Sequence, residues 1–437
     1  MKKILILTVT AGNGHNACAN GMRDKLKQMD PSVDIKVVDL LKSFSNPMSI
    51  WFADSGYNFA VSRALPIYHY FFNKYKNIPP EYRYSRKCVA QGASLSTVDG
   101  LLKEIYDYKP DVIYCTHFYP AIAISDLRLK YNIPCKVIVS NLDYVNSPFW
   151  EAANGVDYFA IPNEDFIDEC IYKGYKLNQL LPIGLPVDER TLEIVDKKEA
   201  RRKLGLDENT PTIMVMFGGG FWSGGFKIFE DLISSLKGRK VQVIMINGKN
   251  EKGYKAIEKM KFEDGIKVLN VGFTKDIPLY LSAADFILNK FGGTSVTEMI
   301  NKSLPVIVTE KIPTQERYNL NYMKDKGVAL SFKNKKELKK HVDMLLDDPQ
   351  MVEEMSMNAR KMRKNTIKEL AEFILSFPNA DYSTINEDEI NYKKVKRAVK
   401  TSVRKESTVE IKKARVLKRD TKKAKQTKKY RQVGGLR

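Results

Sequence analysis

Two series of short, continuously apolar runs, each run followed by a helical pattern, constrain this chain more than any other feature. The first series is Ile4 to Val9, Ile35 to Val38, Val112 to Cys115, Val137 to Val139 and Tyr158 to Ile161. The second is Ile213 to Phe217, Val241 to Ile246, Val268 to Val271, Phe286 to Leu288 and Pro305 to Val308. A strand that lacks polar alternation is buried on both faces, and the intervening helices supply the long crossovers that parallel strands require. The expected architecture is therefore α/β, with two Rossmann-like domains over 1–185 and 186–365 and a hinge at Gly184 and Pro186. A helix over 366–379 is expected to close the fold. The length of 437 residues exceeds one typical core and agrees with two.

Charge is distributed unevenly. Residues 393–437 hold 19 Lys or Arg against the acids Glu406, Glu410 and Asp420, so most of the net charge of +20 lies there. The apolar residues of that stretch, among them Val395, Val399 and Val403, form too thin a stripe to fold alone, and 380–437 is expected to be a disordered or membrane-associated tail. Such a tail suits anionic lipid and would also bind nucleic acid non-specifically. No uninterrupted apolar segment approaches the roughly 20 residues needed to span a bilayer. The opening MKKILILTV is interrupted by Gly12, Asn13, Gly14 and His15, and reads as a buried strand rather than a signal peptide. Five cysteines without a C-x-x-C pair fit a reduced, cytoplasmic setting.

The stretch Leu288 to Asn319 runs strand, glycine turn, helix start, strand and polar loop. Gly292 and Gly293 would allow backbone N–H groups to approach a ligand, and a helix starting near Thr294 and Ser295 would aim its unpaired N–H groups and positive dipole end at an anion. A diphosphate fits there. Glu298 could accept from ribose hydroxyls, and Gln315, Glu316 and Asn319 could hold a sugar. An ordinary βαβ turn that binds nothing has the same glycines.

The combination is more specific. Lys290, Gly292, Gly293, Glu298, Pro313, Gln315, Glu316 and Asn319 resemble the donor-sugar signature of the monogalactosyldiacylglycerol synthase and processive diacylglycerol glucosyltransferase family, roughly K-P-G-G-x-x-x-x-E-A, a strand, then P-x-Q-E and Asn. Phe291, Met299 and Thr314 depart from that pattern. The first two read as packing changes, and Thr314 adds a side chain beside the sugar loop. The resemblance implies the GT-B arrangement, two Rossmann-like domains facing a cleft, and an inverting transfer of a hexose from UDP-glucose or UDP-galactose to diacylglycerol or a glycosyldiacylglycerol.

The first strand ends in a loop containing Gly14 and His15, where the family has its acceptor-side base. An imidazole can take a proton from a hydroxyl at neutral pH. His117 follows another strand end and could line the same cleft. Asp143 matches the Asp of the family's T-D element, able to orient the base or to act as the base, and Trp150 matches an acceptor-side aromatic. Gly218, Gly219 and Gly220 form a second glycine loop that could approach phosphate or sugar. Phe273 falls in a G-F turn whose backbone could read uracil. No D-x-D motif stands in a setting for a metal-bound diphosphate, so no metal and no cofactor are expected. Aromatic residues interleaved with cations over Phe44 to Lys87 suit either a bilayer interface or core-facing helices. The implied location is peripheral, on the cytoplasmic face of the membrane. Two rival readings remain: a GT-B UDP-sugar epimerase, and a non-catalytic membrane or nucleic-acid tether.

Overall fold

The computed structural model describes residues 1–10, 14–44, 70, 73–74, 95–217, 224–386 and 390–406. Two parallel six-stranded sheets organise them. The first is ordered β2-β1-β3-β4-β5-β6, built from β1 (Lys3–Thr8), β2 (Asp34–Asp39), β3 (Val112–Cys115), β4 (Lys136–Ser140), β5 (Tyr158–Ala160) and β6 (Leu180–Leu181). The second is ordered β12-β11-β10-β7-β8-β9, from β7 (Thr212–Met216), β8 (Val241–Ile246), β9 (Ile266–Val271), β10 (Phe286–Asn289), β11 (Val306–Thr309) and β12 (Ala329–Phe332). Every residue of β3, β7, β8, β10 and β11 is buried, which is why these strands carry apolar side chains without alternation.

In each sheet the chain order reverses at one place, between β1 and β3 and between β7 and β10. At such a switch point the helices that follow neighbouring strands diverge to opposite faces and leave a crevice at the carboxyl ends. The loop leading to His15 follows β1, Thr116 and His117 follow β3, and Gly292 and Gly293 follow β10. All are thereby delivered to crevices.

Gly184 marks the crossing between the domains. Its φ is +103°, and a Cβ there would lie 2.3 Å from the Thr366 hydroxyl, which donates to the Ile183 carbonyl at 2.6 Å. The helix Thr366–Ser376 then returns to the first domain. Ile367, Leu370, Ala371 and Ile374 enter the core formed by Ile4, Ile6, Cys18 and Met22.

The C-terminal region departs from expectation over 380–406. The Tyr382 hydroxyl donates to the Pro110 carbonyl at 2.9 Å, and residues 395–406 form a helix. Val395, Val399 and Val403 are buried in one cluster with Val98, Leu101 and Leu102. The stripe is too thin to fold by itself, but the helix Val98–Tyr108 provides the apolar surface that completes it. Residues 407–437 and most of the aromatic Phe44 to Lys87 segment lie outside the described residues. Among the described residues no helix is long and apolar enough to cross a membrane. The four described cysteines, Cys18, Cys115, Cys135 and Cys170, are free and buried.

Candidate active site

The helix Gly14–Met29 begins where the first switch-point crevice opens, and its first residues meet the second domain. A Cβ at Gly14 would sit 2.9 Å from the Thr294 hydroxyl. His15 Nδ1 lies 2.6 Å from the Thr116 carbonyl. A carbonyl only accepts, so Nδ1 carries the proton and Nε2 keeps its lone pair. Burial lowers the His15 pKa below its ordinary value, and the hydrogen bond to Thr116 opposes that only in part. The ring is thus neutral at pH 7 and has one unprotonated nitrogen, the form a general base needs.

His117 stands edge-on to His15, with ring centroids 4.6 Å apart. It was expected to line the cleft. It is instead buried, and its Nδ1 accepts from the Tyr119 N–H at 3.1 Å as the cap of the helix Phe118–Arg128. Burial and the neighbouring His15 hold its pKa well below the ordinary value, so it stays uncharged against the His15 ring.

The helix Gly293–Asn301 has Gly292 as its N-cap and no side-chain cap. Gly292 is open: a Cβ there would meet nothing within 4 Å. Gly293 is the opposite, since its Cβ would lie 2.0 Å from the Leu142 carbonyl. The absence of a side chain at Gly293 therefore admits the first domain's backbone rather than a ligand. Asp143 comes with that backbone. Its carboxylate accepts from the Gly293 N–H and, at 2.9 Å, from Asn319 Nδ2. Burial outweighs both bonds and raises its pKa to about 6. An acidic side chain thus occupies the first N–H of the expected anion site. The expectation that Asp143 orients the base is replaced, because the Thr116 carbonyl does so.

Asn319 was expected to hold a sugar. It is fully buried, accepts from the Tyr144 N–H at 2.7 Å, and donates to Asp143 and to the Phe291 carbonyl at 3.2 Å. Its side chain is an interdomain clamp. The Tyr144 hydroxyl bonds to the Thr297 hydroxyl at 3.0 Å, and the Tyr144 ring stacks on Tyr322 with centroids 5.6 Å apart. Trp150 is likewise core rather than acceptor-facing: it is 4% exposed and packs on Phe159 at 4.7 Å.

Phe291 is more than a packing change. Its φ is +81°, which a proline ring fixed near −65° cannot adopt, so the turn after β10 differs in backbone from a K-P-G-G turn. Met299 is buried, in keeping with packing.

Glu316 lies in the first turn of the helix Thr314–Asp325 and pairs with Lys290 at 3.1 Å. Its Oε2 is buried without a hydrogen-bond partner, and the Thr314 hydroxyl is too. Burial raises the Glu316 pKa to about 7 despite Lys290. Gln315, between them, is half-buried. Two buried polar atoms without partners beside a charged pair form a place where ligand hydroxyls would satisfy both.

A cleft of about 900 Å³ lies between the domains, lined by Lys25 of the first helix, by Asp188 and Arg190 of the hinge, and by Lys275, Thr294 and Glu298 of the second domain. Burial and the nearby Asp188 raise the Glu298 pKa to about 7. Phe273 is two residues before Lys275. Its ring is 64% exposed, with the Lys249 ammonium 5.7 Å from its centroid. Gly218, Gly219 and Gly220 lie outside the described residues. Sequence reasoning missed the Thr116 carbonyl, the Tyr144 clamp and the hinge residues of the cleft. The first two involve partners more than 100 residues apart, for which no local pattern exists.

Residues 15–187 match the family model for monogalactosyldiacylglycerol (MGDG) synthase, and residues 196–362 match that for glycosyl transferases group 1. The processive diacylglycerol beta-glucosyltransferase of Staphylococcus haemolyticus is 28% identical over 332 residues, 75% of this chain and 80% of the relative. Monogalactosyldiacylglycerol synthase 2 of Arabidopsis thaliana, a chloroplast protein, is 24% identical, across 83% of this chain and 77% of its own length. The solved structure of Acinetobacter baumannii MurG superposes with a TM-score of 0.55 at 13% identity, covering 86% of this chain and all of that one. The chain is thus a glycosyltransferase of the GT-B class. Within that class it carries an MGDG synthase domain followed by a group 1 glycosyl transferase domain.

Proposed function

We propose that this enzyme is an inverting hexosyltransferase that moves glucose or galactose from a UDP-sugar to diacylglycerol or a glycosyldiacylglycerol, making membrane glycolipid. The observation that carries the reading is a neutral His15, its Nε2 unprotonated, directly after Gly14, which abuts Thr294 at the N-terminus of the Gly293–Asn301 helix. The relatives' names supply the lipid and the sugar classes.

In this mechanism the acceptor hydroxyl gives its proton to His15 Nε2 as its oxygen forms a bond to the anomeric carbon. The bond from that carbon to the diphosphate oxygen breaks on the opposite face, and UDP leaves with the electron pair, so configuration inverts. N–H groups at Thr294 and Ser295 and the helix dipole stabilise the leaving diphosphate. Asp143 must release the Gly293 N–H for the diphosphate to use it. Glu298, within the cleft, accepts from ribose hydroxyls, and Gln315, Glu316 and Thr314 meet the hexose. The helix N-terminus does the work of charge neutralisation, so transfer is expected to persist in EDTA. A bilayer-lipid acceptor supports the reading of a peripheral enzyme, on the cytoplasmic face of a membrane.

The test uses diacylglycerol in neutral detergent micelles with labelled UDP-glucose or UDP-galactose and EDTA. Label in the extracted lipid from one donor is expected. Release of an isomerised UDP-sugar with no labelled lipid would replace transfer with epimerisation.

A further inference from the structure

The helix 395–406 and the turn Tyr392–Lys394 before it have two unlike faces. Val395, Val399 and Val403, spaced by one helical turn, are buried in the first domain's core, and the Lys396 N–H donates to Asp99 Oδ1 at 2.6 Å. Lys393, Arg397, Lys400 and Arg404 point the other way and are exposed, with Lys394, Lys396 and Lys405 exposed at the flanks. Glu406 is the sole acid among residues 393–406. A helix anchored by one face presents its cations as a fixed row, not as a fluctuating chain.

We infer that this docked helix is a surface on which the enzyme seats itself against an anionic lipid bilayer. The inference rests on the reading of the first domain as the one that receives a lipid acceptor. The place is suited to it. The Val98–Tyr108 helix that holds the basic helix also holds Phe44, since a Cβ at Gly100 would lie 2.5 Å from the Phe44 ring, and Leu95 packs on the same cluster. The basic row is thus beside Phe44 and Leu95 of the first domain. A flat array of like charges complements a charged plane, and each cation near it adds to the attraction. Along the described helix 395–406 the exposed residues are the cations and Thr401, with no aromatic side chain on which a base could stack, and Tyr392 of the preceding turn packs against the core, which argues for lipid over single-stranded nucleic acid. Residues 407–437 continue the same charge in sequence, with 12 further Lys or Arg against Glu410 and Asp420.

The test compares full-length protein with a variant carrying Lys393→Glu, Arg397→Glu and Lys400→Glu. Binding is measured to vesicles of phosphatidylcholine alone, to vesicles that also contain phosphatidylglycerol, and to an RNA oligonucleotide. Wild-type protein is expected to bind the anionic vesicles in preference to neutral ones and to be released by salt. The variant is expected to bind them at least about tenfold more weakly, with an unchanged unfolding midpoint and unchanged transfer to diacylglycerol in neutral micelles. Anionic-vesicle binding equal to wild type would overturn the inference, as would loss of RNA binding with vesicle binding retained. Vesicle binding needs no donor sugar, so failure of transfer in micelles would count against the proposed reaction alone.

Discussion

Asn319 and Glu298, both expected on the donor side, have different surroundings: Asn319 is fully buried and Glu298 lines the cleft. Asn319 bonds two groups of the first domain and one of its own, both amide hydrogens are used, and the side chain is fully buried. Replacing it with alanine strands the Tyr144 N–H and removes a donor from the buried Asp143 carboxylate. Asn319→Ala is expected to destabilise the protein by about 2–3 kcal/mol, the cost of unpartnered buried polar groups, read as a lower denaturant midpoint. Glu298 has a folded pKa of about 7, above the ordinary carboxyl range, because the cleft desolvates it beside Asp188. The folded state therefore binds its proton more tightly than the unfolded chain, so the stability tied to that proton is present at acid pH and is lost as pH rises through about 7. Glu298→Gln is expected to raise the unfolding midpoint at pH 8, by an amount on the order of 1 kcal/mol after screening in the cleft, with the gain absent near pH 4, while UDP-sugar affinity falls. A pH-independent difference between the two proteins would contradict this. The position of His15 after a strand end was legible in the sequence from the glycine loop around it. The carbonyl that fixes its tautomer was not, since Thr116 reaches it only through the pairing of β1 with β3.

At the scale of elements, the strands were legible wherever both faces are buried, as in β7 and β10. β6 has two residues and β12 two half-buried ones, so neither stands out as an apolar run. The C-terminal helix was missed for a related reason: its three valines make a stripe that is meaningful only against the Val98–Tyr108 helix. Val399→Asp should undock it, so that limited proteolysis cuts 380–406 in the variant and spares it in wild type. The hinge was legible from Gly184 and Pro186, but its geometry adds a demand that sequence alone does not state. A Gly184→Ala protein must hold alanine at φ +103° and push aside Thr366, and is expected to lose about 1–3 kcal/mol. An unfolding midpoint equal to wild type would show that the crossing is looser than described.

The whole molecule is held with its domains in contact at the place where chemistry is proposed. Gly293 admits the Leu142 backbone, Gly14 abuts Thr294, and Asp143 occupies the first N–H of the Gly293–Asn301 helix. That arrangement was not legible, because a glycine that admits a neighbouring domain and one that admits a diphosphate look alike in sequence. A Cβ at Gly293 cannot coexist with the contact. Gly293→Ala is expected to separate the domains, seen as a larger radius of gyration in solution scattering and as slower transfer. Unchanged scattering would count against the described interface. The central claim is that His15 removes the acceptor's proton at the head of this helix. The most direct measurement is single-turnover transfer to diacylglycerol by His15→Ala and wild-type protein, with UDP-sugar affinity determined in parallel. Loss of a general base costs on the order of 10²–10⁴ in rate, so a fall of that size with donor affinity retained is expected, whereas turnover near that of wild type would contradict the claim.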